Sequence, residues 1–317
     1  MKLQGLKVVQ LLNATGVFLG NEPHNRGLVV RSNASYVKRP RELDDYLLCG
    51  VYNKAVVPLE LSEVVLPEQS LADAEAYRTI TKMVSEDVCK GLKSHQGVFV
   101  VGGTCVQVVG IAGGIRQAFG ADAPLGIIWL DAHGDINIPE TSHSGMLGGM
   151  PFATVLGMCL PDWSESCGLV PPFDPQYAIL SDARSFDPEE AENVKDSALK
   201  IITTSDFCSP RKWSEVVSDL ASRVSTIYLH IDADIVDSLY LPSVNTPEPN
   251  GPDIWTLLDN IKTVMQTGKV AAASLASIYF DAEGRGKERN AEQQQAILSG
   301  IRMIATIMDN WKEWVEP

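Results

Sequence analysis

The stretch Leu125-Gly126-Ile127-Ile128-Trp129-Leu130 runs directly into Asp131-Ala132-His133-Gly134-Asp135, and this junction decides the fold class. The apolar run reads as a buried strand. Two carboxylates and an imidazole then cluster where that strand ends. In an open α/β sheet, ligands bind at the carboxyl ends of strands. A second junction repeats the arrangement. The apolar run from Val224 to Leu229 leads into His230-Ile231-Asp232-Ala233-Asp234. On an extended strand His230, Asp232 and Asp234 project to one face, because side chains alternate with period two. Carboxylates packed this closely repel one another unless a cation lies between them. A divalent metal site is the simplest account.

Asp131 and His133, two residues apart, can face one ion. A carboxylate with an imidazole suits Mn²⁺, Zn²⁺, Fe²⁺ or Ni²⁺. The plain alternative is a solvated polar loop, and the recurrence of an acidic cluster in the same strand-end context weighs against it. His230 stands apart. A strand histidine is more often a satisfied core residue, and its candidate role is to support the ligands from behind.

Working outward, strands and helices alternate along the chain. Strands are predicted at 7–12, 98–101, 125–130, 177–180, 226–231 and 270–280. Helices are predicted at 70–94, 106–119, 151–160, 187–197, 210–222, 253–266 and 288–313. The glycines in 106–119 weaken that helix as a prediction. Residues 161–175, rich in proline, read as an excursion loop, and 13–46 as a long loop near the site. The alternation predicts one α/β domain over residues 1–317, with a mostly parallel sheet covered by helices on both faces.

Composition excludes several function classes. A formal net charge of −14 argues against nucleic acid or an acidic membrane as partner. No stretch of about 18 apolar residues exists to span a bilayer, and the segment Met1-Lys2-Leu3-Gln4-Gly5 lacks the features of a signal peptide. The six cysteines are scattered without a C-x-x-C pair, so a disulfide scaffold is not expected and a cytoplasmic location is.

Taken together, Gly102-Gly103 after a strand, Asp-Ala-His-Gly-Asp at 131–135 and Asp-Ala-Asp-Ile-Val-Asp at 232–237 resemble the ureohydrolase family, which includes arginases, agmatinases, guanidinobutyrases and formiminoglutamases. The resemblance covers about residues 97–313, and residues 13–90 depart from the usual N-terminal pattern. It implies a three-layer α/β/α, arginase-like fold, a centre of one or two divalent ions with manganese the expected metal, and a homo-oligomer. The implied reaction is hydrolysis of a guanidino or amidino C–N bond.

The same resemblance assigns roles. Asp131 and Asp232 fall on bridging ligands. His133 and Asp234 complete one metal position, and Asp135 serves the other and orients the nucleophile. The loop 137–151 has the length seen in arginase-like members, with Asn137 and Ser144 on positions that hold an amino-acid head group. Asp187 falls where arginases contact the substrate α-amino group.

The departures are as informative. The usual Gly-Gly-Asp-His is here Gly102-Gly103-Thr104-Cys105. Cys105 is either a ligand, softer than imidazole and favouring Zn²⁺ over Mn²⁺, or a small buried residue under a helix N-terminus. Gly148 takes the place of the histidine proton shuttle, and His143 or His24 could replace it. Met146 stands where arginases have an asparagine. Tyr279 stands where an acidic residue pairs with the guanidinium, a charge that Asp281, Glu283 or Glu140 could supply instead.

These readings predict a metal-dependent hydrolase acting on a guanidino-bearing small molecule or peptide and releasing urea or an amide. The openings at Met146 and Gly148 favour an arginine side chain within a peptide, converted to ornithine. Two alternatives come from other classes. One is a non-catalytic binding protein on the same fold. The other is a single-metal deacylase using Asp131, His133 and Asp232, with Tyr279 as electrophile.

Overall fold

The computed structural model describes residues 2–19, 30–36, 41–67, 75–244, 246–278 and 290–317. Its centre is an eight-stranded sheet, parallel at every pairing. The strands are β1 (Leu6–Leu11), β4 (Leu59–Val64), β5 (Gly97–Val101), β6 (Leu125–Leu130), β7 (Ala178–Ser181), β8 (Lys200–Ile202), β9 (Thr226–Asp232) and β10 (Val270–Ala276). Their order across the sheet is β4-β1-β5-β10-β9-β6-β7-β8. The central strands are continuous apolar runs buried along their whole length, the pattern of a parallel sheet covered on both faces.

Two cores flank the sheet. On one face lie α2 (Ala76–Lys93), α3 (Val108–Phe119) and α4 (Pro151–Val155), packed around Trp129, Val100 and Tyr228. On the other lie α1 (Arg41–Leu48), α8 (Pro210–Arg223), α9 (Ile254–Met265) and α10 (Ala291–Asn310), packed around Leu229, Phe99 and Ala273. Three short or surface helices complete the chain: α5 (Pro161–Ser166), α6 (Pro188–Asp196) and α7 (Thr204–Phe207). Among the described residues no helix is long and apolar enough to cross a membrane.

The sheet, expected to be mostly parallel, is parallel at every pairing. Other expectations need correction. Residues 13–46 are not one loop. They contain an antiparallel ribbon, β2 (Asn13–Leu19) and β3 (Val30–Tyr36), followed by α1. The ribbon closes its own ladder and stands outside the main sheet. β4 and β8 were not predicted. They are the two sheet edges, one interleaved with charge in Leu-Glu-Leu-Ser-Glu-Val and the other only Lys200–Ile202, as edges often are. The helix expected over 151–160 stops at Val155, before Gly157 in the left-handed region (φ 76°). The loop 161–175 holds α5. The strand expected to reach 280 ends at Ala276.

The glycines of α3, which argue against a helix by propensity, are there for packing. A Cβ on Gly110 would lie 2.2 Å from the Thr81 carbonyl oxygen of α2, and one on Gly113 would lie 2.2 Å from that of Cys167. Backbone cannot retreat as a side chain can. Gly110→Ala should therefore lower the unfolding free energy by about 1–3 kcal/mol, the usual cost of overpacking. Denaturant unfolding at unchanged m-value checks this, and an unaltered midpoint would mean that α2 and α3 are not in that contact.

Candidate metal centre

Register puts the chemistry-bearing residues in rows. Trp129 on β6 pairs with His230 on β9, and His230 pairs with Ser274 on β10. Two residues further, Ala276 pairs with Asp232, and the Leu130–Ile231 pair sets Asp131 beside Asp232. Both carboxylates thus stand at adjacent strand ends, on the face that carries Trp129 and His230. Beyond β5, Gly102 and Gly103 take positive φ values of 92° and 71°. That turn feeds a single 3-10 turn starting at Cys105, which is buried. Beyond β9, Asp234 lies in a 3-10 turn capped by Asp232.

The donors converge. Cys105 Sγ lies 2.9 Å from Asp232 Oδ2, 3.4 Å from His230 Nε2 and 3.9 Å from Asp131 Oδ2. On the other side His133 Nδ1 lies 3.4 Å from Asp131 Oδ1 and 3.2 Å from Asp234 Oδ2. Its Nε2 is 3.3 Å from Glu248 Oε1. Asp131 therefore turns one oxygen to each group. The carboxylates also accept hydrogen bonds that fix them. Trp129 Nε1 donates to Asp131 Oδ2 at 3.0 Å, and the His133 amide donates to Oδ1 at 2.7 Å. The Asp234 amide and the Ser277 hydroxyl donate to Asp232. Thr246 Oγ1 donates to Asp234 Oδ2 at 2.6 Å.

Electrostatics follow from crowding in a dry place. Burial first, then neighbouring Asp234, raises Asp232 to about 7. Burial and Asp131 raise Asp234 to about 6. Asp131 is raised by burial and Asp232, and Asp135 is pushed well up by burial and Asp131. Burial and the surrounding carboxylates, Asp232 foremost, hold the Cys105 thiol well above its ordinary value. Burial alone would lower His133, but its bonds to Asp131 and Asp234 outweigh that and push it up to about 12. Burial is the largest cause of each carboxyl and thiol shift, and a neighbouring carboxylate adds to it. The donor set fits a divalent ion: Cys105, Asp131 and His230 offer atoms all within 4.8 Å of one another, and so do Asp131, His133 and Asp234.

Asp135 is buried with φ 46°, a left-handed backbone. Asn137 Nδ2 donates to Asp187 Oδ2 at 3.2 Å, bringing two predicted head-group residues together. Asp187 also caps α6, and Glu190 of that helix accepts from the Ile136 and Asp187 amides, tying the loop down. Ser144 is exposed and accepts from the Met146 amide. His143 is a surface histidine, with its ring 2.6 Å from Glu189. Tyr279, Asp281, Glu283 and His24 lie outside the described residues.

A family model described as the arginase family matches residues 48–282. The chain belongs to the arginase family. Among its relatives, the arginase of Bacillus caldovelox is 32% identical over 183 residues, which is 57% of this chain and 59% of that protein. The chain spans about three fifths of the length of the curated relatives it matches. Its fold is similar to that of Bacillus subtilis arginase, at TM-score 0.77 and 21% identity over 96% of this chain and 98% of that one. It is similar too to Bacillus cereus arginase, at TM-score 0.78 and 17% identity over 96% and 98%.

Sequence reasoning underplayed His230, which points a ring nitrogen into the cluster. The signal was its period-two spacing from Asp232. It missed Glu248, Thr246 and Ser277, which arrive from loops with no local pattern. It also missed Arg184, whose guanidinium binds Asp182 Oδ2 at 2.6 Å and the carbonyls of Asp234, Glu248 and Pro249.

A pH dependence follows. Protons compete with a cation for Asp232 and Asp234, so affinity for Mn²⁺ or Zn²⁺ should fall as pH drops below about 7. Titration calorimetry between about pH 8 and pH 5 checks this. In chelated protein the sign reverses. These carboxyls are raised above their unfolded values, so their contribution is present below about pH 4 and is lost as pH rises through about 6 to 7. The chelated protein should melt at a lower temperature at about pH 8 than at about pH 5, and Asp232→Asn should flatten that slope. A flat affinity profile would remove both aspartates from the ion's surroundings.

Proposed function

We propose that the protein is a metal-dependent hydrolase of a guanidino or amidino C–N bond, releasing urea or an amide. The observation that carries this reading is the single Asp131 carboxylate shared by two three-donor groups at the strand ends. Family membership supports it. Asp131 and Asp232 would bridge, with His133 and Asp234 on one side and Cys105 and Asp135 on the other. When bound, divalent ions supply a nucleophile at neutral pH and Lewis-acid polarisation, and manganese is the expected metal.

The chain's own residues do the rest. We assign the acid for the departing amine to Asp135, which would take up the nucleophile's proton and pass it on, in a site where Gly148 replaces the family histidine. His143, held on the rim by Glu189, is the second candidate. Asn137 and Asp187, already joined by a hydrogen bond, would bind the backbone end of the substrate together with Ser144. Tyr279 is assigned to the guanidinium.

We take the substrate to be larger than free arginine, an arginine side chain within a peptide that becomes ornithine. A Cβ on Gly148 would meet nothing nearer than Met146 Sδ at 3.5 Å, and Met146 is 40% exposed. This rim has room at Gly148, and the Met146 side chain offers no hydrogen-bond donor to a free carboxylate.

Urea release from free arginine, agmatine and an internal arginine in a short peptide, compared by kcat/KM, tests the reading. The peptide should be preferred. A preference for free arginine would overturn the peptide assignment, and no urea from any of the three would overturn hydrolysis of a guanidino group. Asp135→Asn should lower kcat by about 10²–10⁴, the worth of general acid catalysis. His143→Ala should cost far less, and the reverse ranking would move the proton to His143.

A further inference from the structure

We propose that His230, delivered by β9 rather than by the loop after β5, is the nitrogen ligand of the inner ion position. It would act with the Cys105 thiolate and the two bridging aspartates, and this sulfur–nitrogen set would make the position select Zn²⁺ over Mn²⁺. The inference rests on the metal-dependent reading above.

Three observations carry it. The first is spacing. Bonds of about 2.0 Å to imidazole and about 2.3 Å to thiolate at tetrahedral angles place nitrogen and sulfur about 3.2–3.8 Å apart. His230 Nε2 and Cys105 Sγ are 3.4 Å apart, and Asp131 lies within the same group of donors.

The second is orientation. His230 Nδ1 is 2.9 Å from Ser274 Oγ, which is 2.7 Å from the Tyr228 hydroxyl. A proton on Nδ1 donated to Ser274 Oγ, an oxygen that can also accept from the Tyr228 hydroxyl, leaves the Nε2 lone pair aimed at the cluster. Metal-binding histidines are commonly fixed this way by a partner on the far nitrogen. The Trp129 ring lies 4.2 Å from the imidazole, centre to centre, and holds it from the side. His230 is fully buried, so its nitrogen cannot turn to water.

The third is volume. Cysteine at 105 is smaller than the histidine expected there by resemblance. The imidazole that this position lacks reappears across the sheet at 230, reaching the same place. Thiolate and imidazole suit Zn²⁺ better than Mn²⁺, whereas the group Asp131, His133 and Asp234 is richer in oxygen. Ligation releases the thiol proton to the buffer.

The test uses full-length, chelated protein titrated with Co²⁺, a spectroscopic stand-in for Zn²⁺. Wild type should develop a near-ultraviolet thiolate-to-cobalt charge-transfer band. Cys105→Ser should lose that band and keep binding at the His133 side. His230→Ala should weaken binding at the band-forming position by at least about tenfold. Ser274→Ala keeps both ligands but frees the imidazole, and should weaken it by about 10–100-fold with the band retained. That variant serves if His230→Ala does not fold, as circular dichroism of the chelated protein would show. Zn²⁺ should abolish the band at concentrations where Mn²⁺ does not.

Cobalt bound without the band, or His230→Ala and Ser274→Ala binding as wild type does, would overturn the inference and leave the hydrolase standing. Displacement by Mn²⁺ as readily as by Zn²⁺ would overturn the selectivity. Failure to bind Co²⁺, Zn²⁺ or Mn²⁺ at all would overturn this inference and the metal-dependent reading together.

Discussion

Two carboxylates, Asp131 and Asp232, stand side by side at the buried ends of neighbouring parallel strands, and the rest of the site answers to that crowding. Adjacent strands are about 4.8 Å apart, so the register that aligns Leu130 with Ile231 leaves the next residues no freedom to separate. Taking both charges out of water is costly unless they are paired. The surrounding structure supplies what it can: the Trp129 indole, the His133 and Asp234 amides, the Ser277 hydroxyl and the His133 imidazole. Burial and the neighbouring carboxylates still raise their proton affinities, and a divalent cation is a counter-charge that the donor geometry fits.

Holding such a cluster together has conformational consequences just beyond the strands. Asp135, Asp182 and Ser277 take left-handed backbone conformations, with φ of 46°, 65° and 67°. Strain of this kind persists where surrounding structure over-determines it. Arg184 shows how. Its planar fork ties buried Asp182 to the carbonyls of Asp234, Glu248 and Pro249, locking the loop that delivers Glu248 to His133. Glu190 does the same for the loop after Asp135. The site is thus positioned by a frame of polar bonds around its rim as well as by the apolar core beneath.

The changes at Cys105 and Gly148 have different physical meanings. Cys105 sits in the interior, where burial and His230 set its surroundings. Gly148 sits on the rim, where the absence of a side chain opens space. In the reading proposed above, one would set which cation the floor holds and the other what can approach from above. A site can change ion and substrate separately when the two determinants lie on different layers.

Much of this was legible in the sequence because it is local. Strand-to-loop junctions at 131 and 232 follow from apolar runs meeting acidic residues. The parallel sheet follows from alternation of strands and helices, and the family resemblance from the same motifs. What resisted reading is non-local. The glycines of α3 looked like defects until α2 was seen to press against them. The strands β2 and β3 pair with each other outside the main sheet, and the edge strands β4 and β8 are only partly buried, so their pattern is faint. Glu248, Thr246 and Arg184 reach the site from loops whose destinations no periodicity records. His230 is the sharpest case. Its spacing from Asp232 announced the face it occupies, but a core histidine and a ligand have the same spacing. Only the tertiary structure brings Ser274 to one nitrogen and Cys105 to the other, because Ser274 lies on the neighbouring strand β10 and Cys105 on the turn after β5, one strand further along the sheet.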